Sequence, residues 1–153
     1  MNRLFLATAL LACSCGGDDG GADAGLAPQN CATDDRAPTF ELGLRETGAA
    51  GYVVTLEEAS PFPAARDDND WIVSVVDADG LPAQGLTVAT DPQMPDHGHG
   101  TPIRATISET APGTYEIERI NLWMPGYWEI GVELQDGEGT TVDTLTFRVC
   151  VDP

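Results

Sequence analysis

Short runs in which apolar and polar residues alternate dominate the chain after about residue 50, and turn-forming residues separate them. A spacing of two is typical of half-buried β-strands. Such runs occur at 51–57, 86–88, 103–107, 115–117, 128–134 and 143–149, and the run at 71–78 is apolar on both faces, which predicts a central strand. No stretch of convincing length has helical periodicity. The pattern predicts an all-β fold, an immunoglobulin-like antiparallel β-sandwich of about seven strands.

One of the predicted strands changes the phase of its alternation. Tyr115 and Ile117 fit one register, whereas Ile120, Leu122 and Met124 fit the other. Because a shift of one residue turns side chains to the opposite face of a sheet, we expect a β-bulge at residues 118–119. Bulges often lie near functional sites, but two irregular strand positions without a function explain the pattern equally well.

The amino-terminal residues differ in composition from the rest of the chain. Residues 4–12 form an apolar run of nine, which is too short for the roughly 20 residues of a membrane-spanning helix and is typical of a signal peptide. The run ends in Leu10-Leu11-Ala12-Cys13, which resembles a lipobox. We therefore predict that residues 1–12 are a lipoprotein signal peptide and that Cys13 becomes the lipidated amino terminus. The alternative is an ordinary secretory signal cleaved nearby.

The segment that follows is rich in Gly, Asp and Ala and almost free of large apolar residues. Residues 13–31 are therefore predicted to be a lipidated, flexible, acidic and Gly-rich tether, and residues 32–153 a single folded domain. Ser14 follows the predicted lipidated cysteine, at the position where an aspartate usually retains a lipoprotein in the inner membrane. We expect a lipid-anchored, extracytoplasmic protein of the cell envelope, in the outer membrane if the bacterium is Gram-negative.

Charge and cysteine content support export. With 25 acidic residues against 7 basic ones, the net charge of −18 predicts no binding to nucleic acid and favours cations or basic surfaces as partners. In an oxidising compartment, Cys31 and Cys150 are predicted to form a disulfide bond that closes a loop of about 120 residues. Cys15 is then left over in the tether, where it either stays free or competes for one of these partners.

The residues 91–102, with the sequence DPQMPDHGHGTP, contain both histidines of the chain. In an extended backbone, His97 and His99 project to the same side, because side chains alternate with a period of two. Met94 adds a thioether, and a set of thioether and imidazole ligands suits copper better than zinc, calcium or magnesium. Asp96 could orient a histidine by contacting the ring nitrogen that does not bind the metal. Gly98 and Gly100 would leave room around a bound ion.

Several of these segments together resemble the YtkA-like domain family, which is related to FixH-like proteins. The resemblance spans about residues 50–150 and is most specific in the stretches MPDHGHG (94–100) and MPGYWEI (124–130). It implies a small extracytoplasmic sandwich domain, often a lipoprotein, in the sphere of copper handling and respiratory oxidase assembly. Residue by residue, it implies Met94, His97, His99 and Met124 as metal ligands. The chain has fewer methionines around its histidines than Met-rich copper carriers have.

Other interpretations of the same residues remain open. The 91–102 segment could be a rigid crossover between the two sheets, with its histidines packed on Trp123 or Trp128 and with Met124 in the core. Acidic residues at 66–70 and 77–80 have the composition of calcium loops but lack EF-hand spacing. No nucleophile motif is present, so we predict that the protein is not an enzyme. The three hypotheses are a copper-binding envelope lipoprotein, a metal-free interaction module that engages an envelope protein, and a structural accessory domain.

Overall fold

The computed structural model describes residues 31–153, which form a two-layered antiparallel β-sandwich. The predicted signal peptide, lipidated Cys13 and Cys15 lie outside the described residues. A short 3₁₀ helix, Cys31–Thr33, is followed by nine strands: β1 Arg45–Thr47, β2 Val53–Ser60, β3 Asp67–Val76, β4 Thr87–Met94, β5 His99–Gly100, β6 Thr106–Ala111, β7 Thr114–Leu122, β8 Gly126–Gln135 and β9 Thr141–Val151. No helix within residues 31–153 is long and apolar enough to cross a membrane.

The strands form one sheet of five, in the order β1-β2-β3-β7-β6, and one sheet of four, in the order β5-β4-β8-β9. The all-β sandwich is therefore confirmed, with β3 inside its sheet as predicted. The two strands beyond the predicted seven are edge strands of three and two residues, β1 and β5. Runs of three and two residues are too short to show the repeated alternation that identifies a strand in a sequence.

Large side chains from both sheets fill the space between the layers. Trp71 of β3 and Phe147 of β9 pack edge to face with ring centroids 5.6 Å apart, the arrangement that aromatic pairs favour. Tyr115 and Trp128 are also almost completely buried. The core thus joins the two sheets at several points. The edge strands pair with strands that this core holds in place.

The predicted bulge in β7 is confirmed. Ile117 pairs with Trp71 and Ile120 with Asn69, so residues 118 and 119 together face the single residue Asp70. Arg119 takes a positive φ of 66° there, and its backbone N–H donates to the Asp70 carboxylate at 2.9 Å. The bulge returns the apolar residues to the core, and the strand then leads the chain into Trp123 and Met124.

Buried Asn69 joins the start of β3 to the loop before it. Its Oδ1 accepts from Ala65 N at 3.0 Å, and its Nδ2 lies within 2.8 Å of Ala65 O and 3.0 Å of Asp67 O. Since truncation leaves these backbone groups without partners in a dry site, Asn69→Ala is expected to lower the free energy of unfolding by about 1–3 kcal/mol. Denaturant unfolding measures this, with Gln84→Ala, an amide removed from an exposed position, as the control. Equal losses in the two variants would disprove the role of the buried bonds.

Candidate metal centre

His97 lies on the tight connection between β4 and β5, and His99 begins β5 at the edge of the four-stranded sheet. We call residues 94–100 the histidine turn. The backbone N–H groups of His97 and Gly98 both donate to Met94 O, at 3.1 and 3.0 Å. Gly98 has a φ of +64°, which glycine adopts without strain. The predicted extended backbone is therefore wrong here: a reversal of the chain, not alternation along a strand, brings the histidines together.

The second glycine of the turn is required by close packing rather than by backbone angle. A Cβ at Gly100 would lie 2.5 Å from Pro92 O and 2.6 Å from the side-chain nitrogen of Gln93. The edge strand therefore lies against β4 only because residue 100 has no side chain. The turn itself therefore explains both glycines without a bound ion.

The two imidazole rings of the histidine turn are half-buried and lie close together. Their centroids are 5.6 Å apart, and the rings are tilted by 42°. His99 also stacks on the indole of Trp123, with centroids 5.0 Å apart and an angle of 24°. The alternative of a histidine packed on Trp123 is thus realised for His99, and the stacking fixes the plane of its ring.

A backbone carbonyl faces one ring nitrogen of His99. Its Nδ1 lies 3.3 Å from Gly100 O, and the Nε1–H of Trp123 donates to the same carbonyl at 3.4 Å. In the tautomer that donates Nδ1–H to this oxygen, Nε2 keeps its lone pair. A carbonyl behind one ring nitrogen is the usual support for a histidine that binds a metal through the other.

The two methionines occupy different environments. Met94 is fully buried in the core cluster, yet it pairs directly with His99 in the β4–β5 ladder. Directly paired residues have their side chains on the same face of a sheet. Met124 is partly buried against the core, and its carbonyl accepts from Trp128 Nε1 at 2.9 Å. Met94 therefore has a packing role, and its thioether lies on the same side of the ladder as the His99 ring.

Asp96 does not support a histidine as predicted, because its carboxylate is bound to Arg36. Arg36 Nη1 donates to one carboxylate oxygen and Nη2 to the other, both at 2.7 Å. Arg36 also binds Asp34 through Nη2 at 2.6 Å. Hydrogen bonds from Arg36 hold the pKa values of both carboxyl groups below their usual range. Asp96 thus anchors the turn to the amino-terminal segment, in place of the predicted orienting role.

Sequence reasoning missed Arg36, which lies 60 positions from Asp96. Its guanidinium carbon lies 4.1 Å above the ring of Tyr127, a residue that is almost completely buried. Only the scarcity of basic residues, 7 against 25 acidic ones, could have drawn attention to it. The predicted calcium-like loops also have structural roles: Asp77 accepts from the backbone of Asp79 and Leu81, and most of the 66–70 run belongs to β3.

Within residues 31–153, no three His, Cys, Asp or Glu side chains come together as a metal-binding group. A metal at the histidine turn would thus have two imidazoles as its nitrogen ligands and would depend on thioethers for others. An imidazole nitrogen lies about 2 Å from a bound metal, and neighbouring rings 5.6 Å apart can share one ion. This donor set of nitrogen and sulfur fits copper and does not fit calcium or magnesium.

Comparison with known proteins identifies a family. The YtkA-like family matches residues 46–133 of the chain, which confirms the resemblance predicted from the sequence. No curated protein matches the chain. Among solved structures, a copper-bound variant of FetP from uropathogenic Escherichia coli strain F11 is similar, with 12% identity and a TM-score of 0.38 over 72% of this chain and 96% of that chain.

Proposed function

We propose that this chain, which belongs to the YtkA-like family, is an extracytoplasmic lipoprotein that binds copper at its histidine turn. The observation that carries the proposal is the pair of imidazole rings 5.6 Å apart, one of them fixed by Trp123 and by a carbonyl behind its Nδ1. Two histidines near a methionine are a ligand set of the softness that copper prefers. As a carrier or buffer, the protein would pass the ion to a partner in the envelope.

The proposed ligands are of two chemical kinds. His97 and His99 would supply nitrogen, and the thioethers of Met94 and Met124 would supply sulfur. When bound, copper would supply a soft positive centre that imidazole nitrogen and thioether sulfur can coordinate. Trp123 is 39% exposed and stacks on His99, so its indole would shield one side of that ligand from water.

The disulfide bond between Cys31 and Cys150 supports an extracytoplasmic location, because such bonds persist in oxidising compartments. The proposed lipid anchor at Cys13 would hold the domain near a membrane. With a net charge of −18, the chain would be repelled by anionic headgroups, so the acyl chains rather than the surface would do the anchoring.

A metal-free interaction module is the second candidate, and two observations favour it. Met94 is fully buried, so it is explained as a core residue without a metal. The Arg36–Asp96 ion pair holds the turn in place through protein groups alone. In this alternative the ordered turn and the exposed edge of Trp123 would contact a protein partner directly.

Competition for copper(I) against a chelator of known affinity separates the two functions. The soluble fragment that begins at Cys31 is suitable, because it lacks Cys13 and Cys15 and both of its cysteines lie in the disulfide. We expect one copper(I) per chain. Absence of competition even at micromolar copper would rule out copper binding and leave the metal-free module.

Replacing Met94 by leucine distinguishes a ligand from a core residue. Leucine has a similar volume, so we expect a loss of less than about 1.5 kcal/mol in the free energy of unfolding. If the thioether binds copper, the affinity in the competition assay falls about tenfold or more, since a direct contact is lost. Met124 is the other methionine of this fragment, so Met124→Leu is the matched variant. Unchanged affinity in both variants would remove sulfur from the proposed site.

A further inference from the structure

Arg36 joins two parts of the chain that are far apart in sequence. It lies in the segment that follows the 3₁₀ helix, and it forms a two-pronged pair with Asp96 in the histidine turn, with both distances 2.7 Å. A fork-to-fork pair of this kind fixes orientation as well as distance. Asp96 immediately precedes His97, so the contact holds the turn at its first histidine.

Arg36 is itself held from two further sides. Asp34 accepts from the backbone N–H of Arg36 at 3.1 Å and from its Nε at 2.9 Å. The guanidinium lies 4.1 Å above the Tyr127 ring, an arrangement that favours a cation over an aromatic face. Tyr127 in turn donates its hydroxyl hydrogen to Glu129 at 2.9 Å. The side chain that reaches the turn therefore has little freedom.

The disulfide bond places this segment beside the same ring. Cys31 is bonded to Cys150 of β9, and Cys150 pairs directly with Tyr127 of β8. The backbone N–H of Cys31 also lies 3.4 Å from the carboxylate of Asp152. Arg36 follows the disulfide-bonded Cys31 by five residues, and its side chain contacts both the Tyr127 ring and Asp96.

We propose that Arg36 is a positioning residue for the histidine turn, and that the Cys31–Cys150 disulfide acts on the turn through Arg36. This inference rests on the proposed function only for the role of the turn in binding copper. Loss of the disulfide removes the covalent attachment of this segment to β9, and Arg36 then restrains Asp96 less firmly. The turn loosens, and the two imidazoles lose their fixed separation.

Amide hydrogen exchange of the purified full chain, read by mass spectrometry on the peptide that covers the turn, tests the first part. The amides of His97 and Gly98 are bonded within the turn and report its opening without any metal. Arg36→Ala is expected to speed their exchange about three- to fivefold, the range of a partly exposed ion pair. Arg36→Lys keeps the charge without the fork and is expected to do the same. Arg45→Ala, on the other sheet, is the charge-matched control and is expected to have no effect.

The second part is tested by removing the disulfide in both backgrounds. Replacing Cys31 and Cys150 by serine is expected to speed exchange in the turn more than in residues 136–140, the hairpin at the opposite end of β8. In the Arg36→Ala variant, the same replacement of both cysteines is expected to speed amide exchange at the turn no more than it speeds exchange at that hairpin. Additive effects at the turn, or unchanged exchange in Arg36→Ala, would overturn the proposal.

Copper(I) competition on the same variants separates this inference from the proposed function. A turn that loosens in Arg36→Ala, together with weaker copper binding, supports both. A turn that loosens in a protein whose wild type binds no copper leaves the positioning role intact and refutes the copper function. Normal copper affinity in a loosened turn overturns the claim that positioning matters for the site.

Discussion

A variant in which alanine replaces both His97 and His99 is expected to bind copper(I) more weakly by over about a hundredfold. Loss of a group that only supports a ligand costs about ten- to a hundredfold in affinity, and here the nitrogen ligands themselves are removed. No cluster of other His, Cys, Asp or Glu side chains within residues 31–153 can replace them. Competition with a chelator, with the fragment from Cys31, measures the change.

The same variant is expected to stay folded. Both histidines are only half-buried, and the turn is held by backbone hydrogen bonds and by the Arg36–Asp96 pair. Gln93→Ala is the matched control, because Gln93 is exposed in β4 and pairs with Gly100 beside the turn. Wild-type affinity in the histidine variant, or an equal loss in Gln93→Ala, would place copper elsewhere on the chain.

Removal of the disulfide is expected to cause a large loss of stability. The bond joins residues 119 positions apart, and the chain-entropy account gives about 4–5 kcal/mol for a loop of that length as an upper value. The variant with serine at Cys31 and Cys150 is expected to unfold at a lower denaturant concentration. The core between the sheets does not involve the bond, so the variant is expected to keep the β-sandwich.

Two comparisons make this measurement specific. Wild-type protein unfolded in the presence of a dithiol reductant is expected to match the double serine variant. Cys15→Ser in the full chain is expected to leave stability unchanged, because Cys15 takes no part in the bond. A loss below about 1 kcal/mol in the double variant would mean that the bond closes a loop already restrained in the unfolded chain.

The sandwich could be predicted because its long strands alternate over several periods. The phase change between Ile117 and Ile120 is enough to place the bulge at residues 118–119, and the structure adds that it faces Asp70. The alternating run at 86–88 predicts only a short strand around Val88. β4 instead continues to Met94, and the inward phase of Val88 and Pro92 then carries Met94 into the core.

The candidate site was less predictable than the fold. Local sequence identifies the histidines and Met94 as donors, but the distance between the rings depends on the reversal at Gly98 rather than on strand alternation. From proximity in sequence alone, we expect Asp96 to contact a histidine. Its actual partner, Arg36, becomes adjacent only when the disulfide and the Tyr127 ring have placed the amino-terminal segment.

X-ray absorption at the copper edge, on the copper(I)-loaded fragment from Cys31, tests the central claim most directly. The account predicts the scattering pattern of two imidazole rings with nitrogen at about 2 Å, a distance typical of histidine–metal bonds. It also predicts that this pattern disappears when alanine replaces His97 and His99. A wild-type spectrum without imidazole scattering, or a spectrum that the histidine variant leaves unchanged, would contradict the proposal that the histidine turn binds copper.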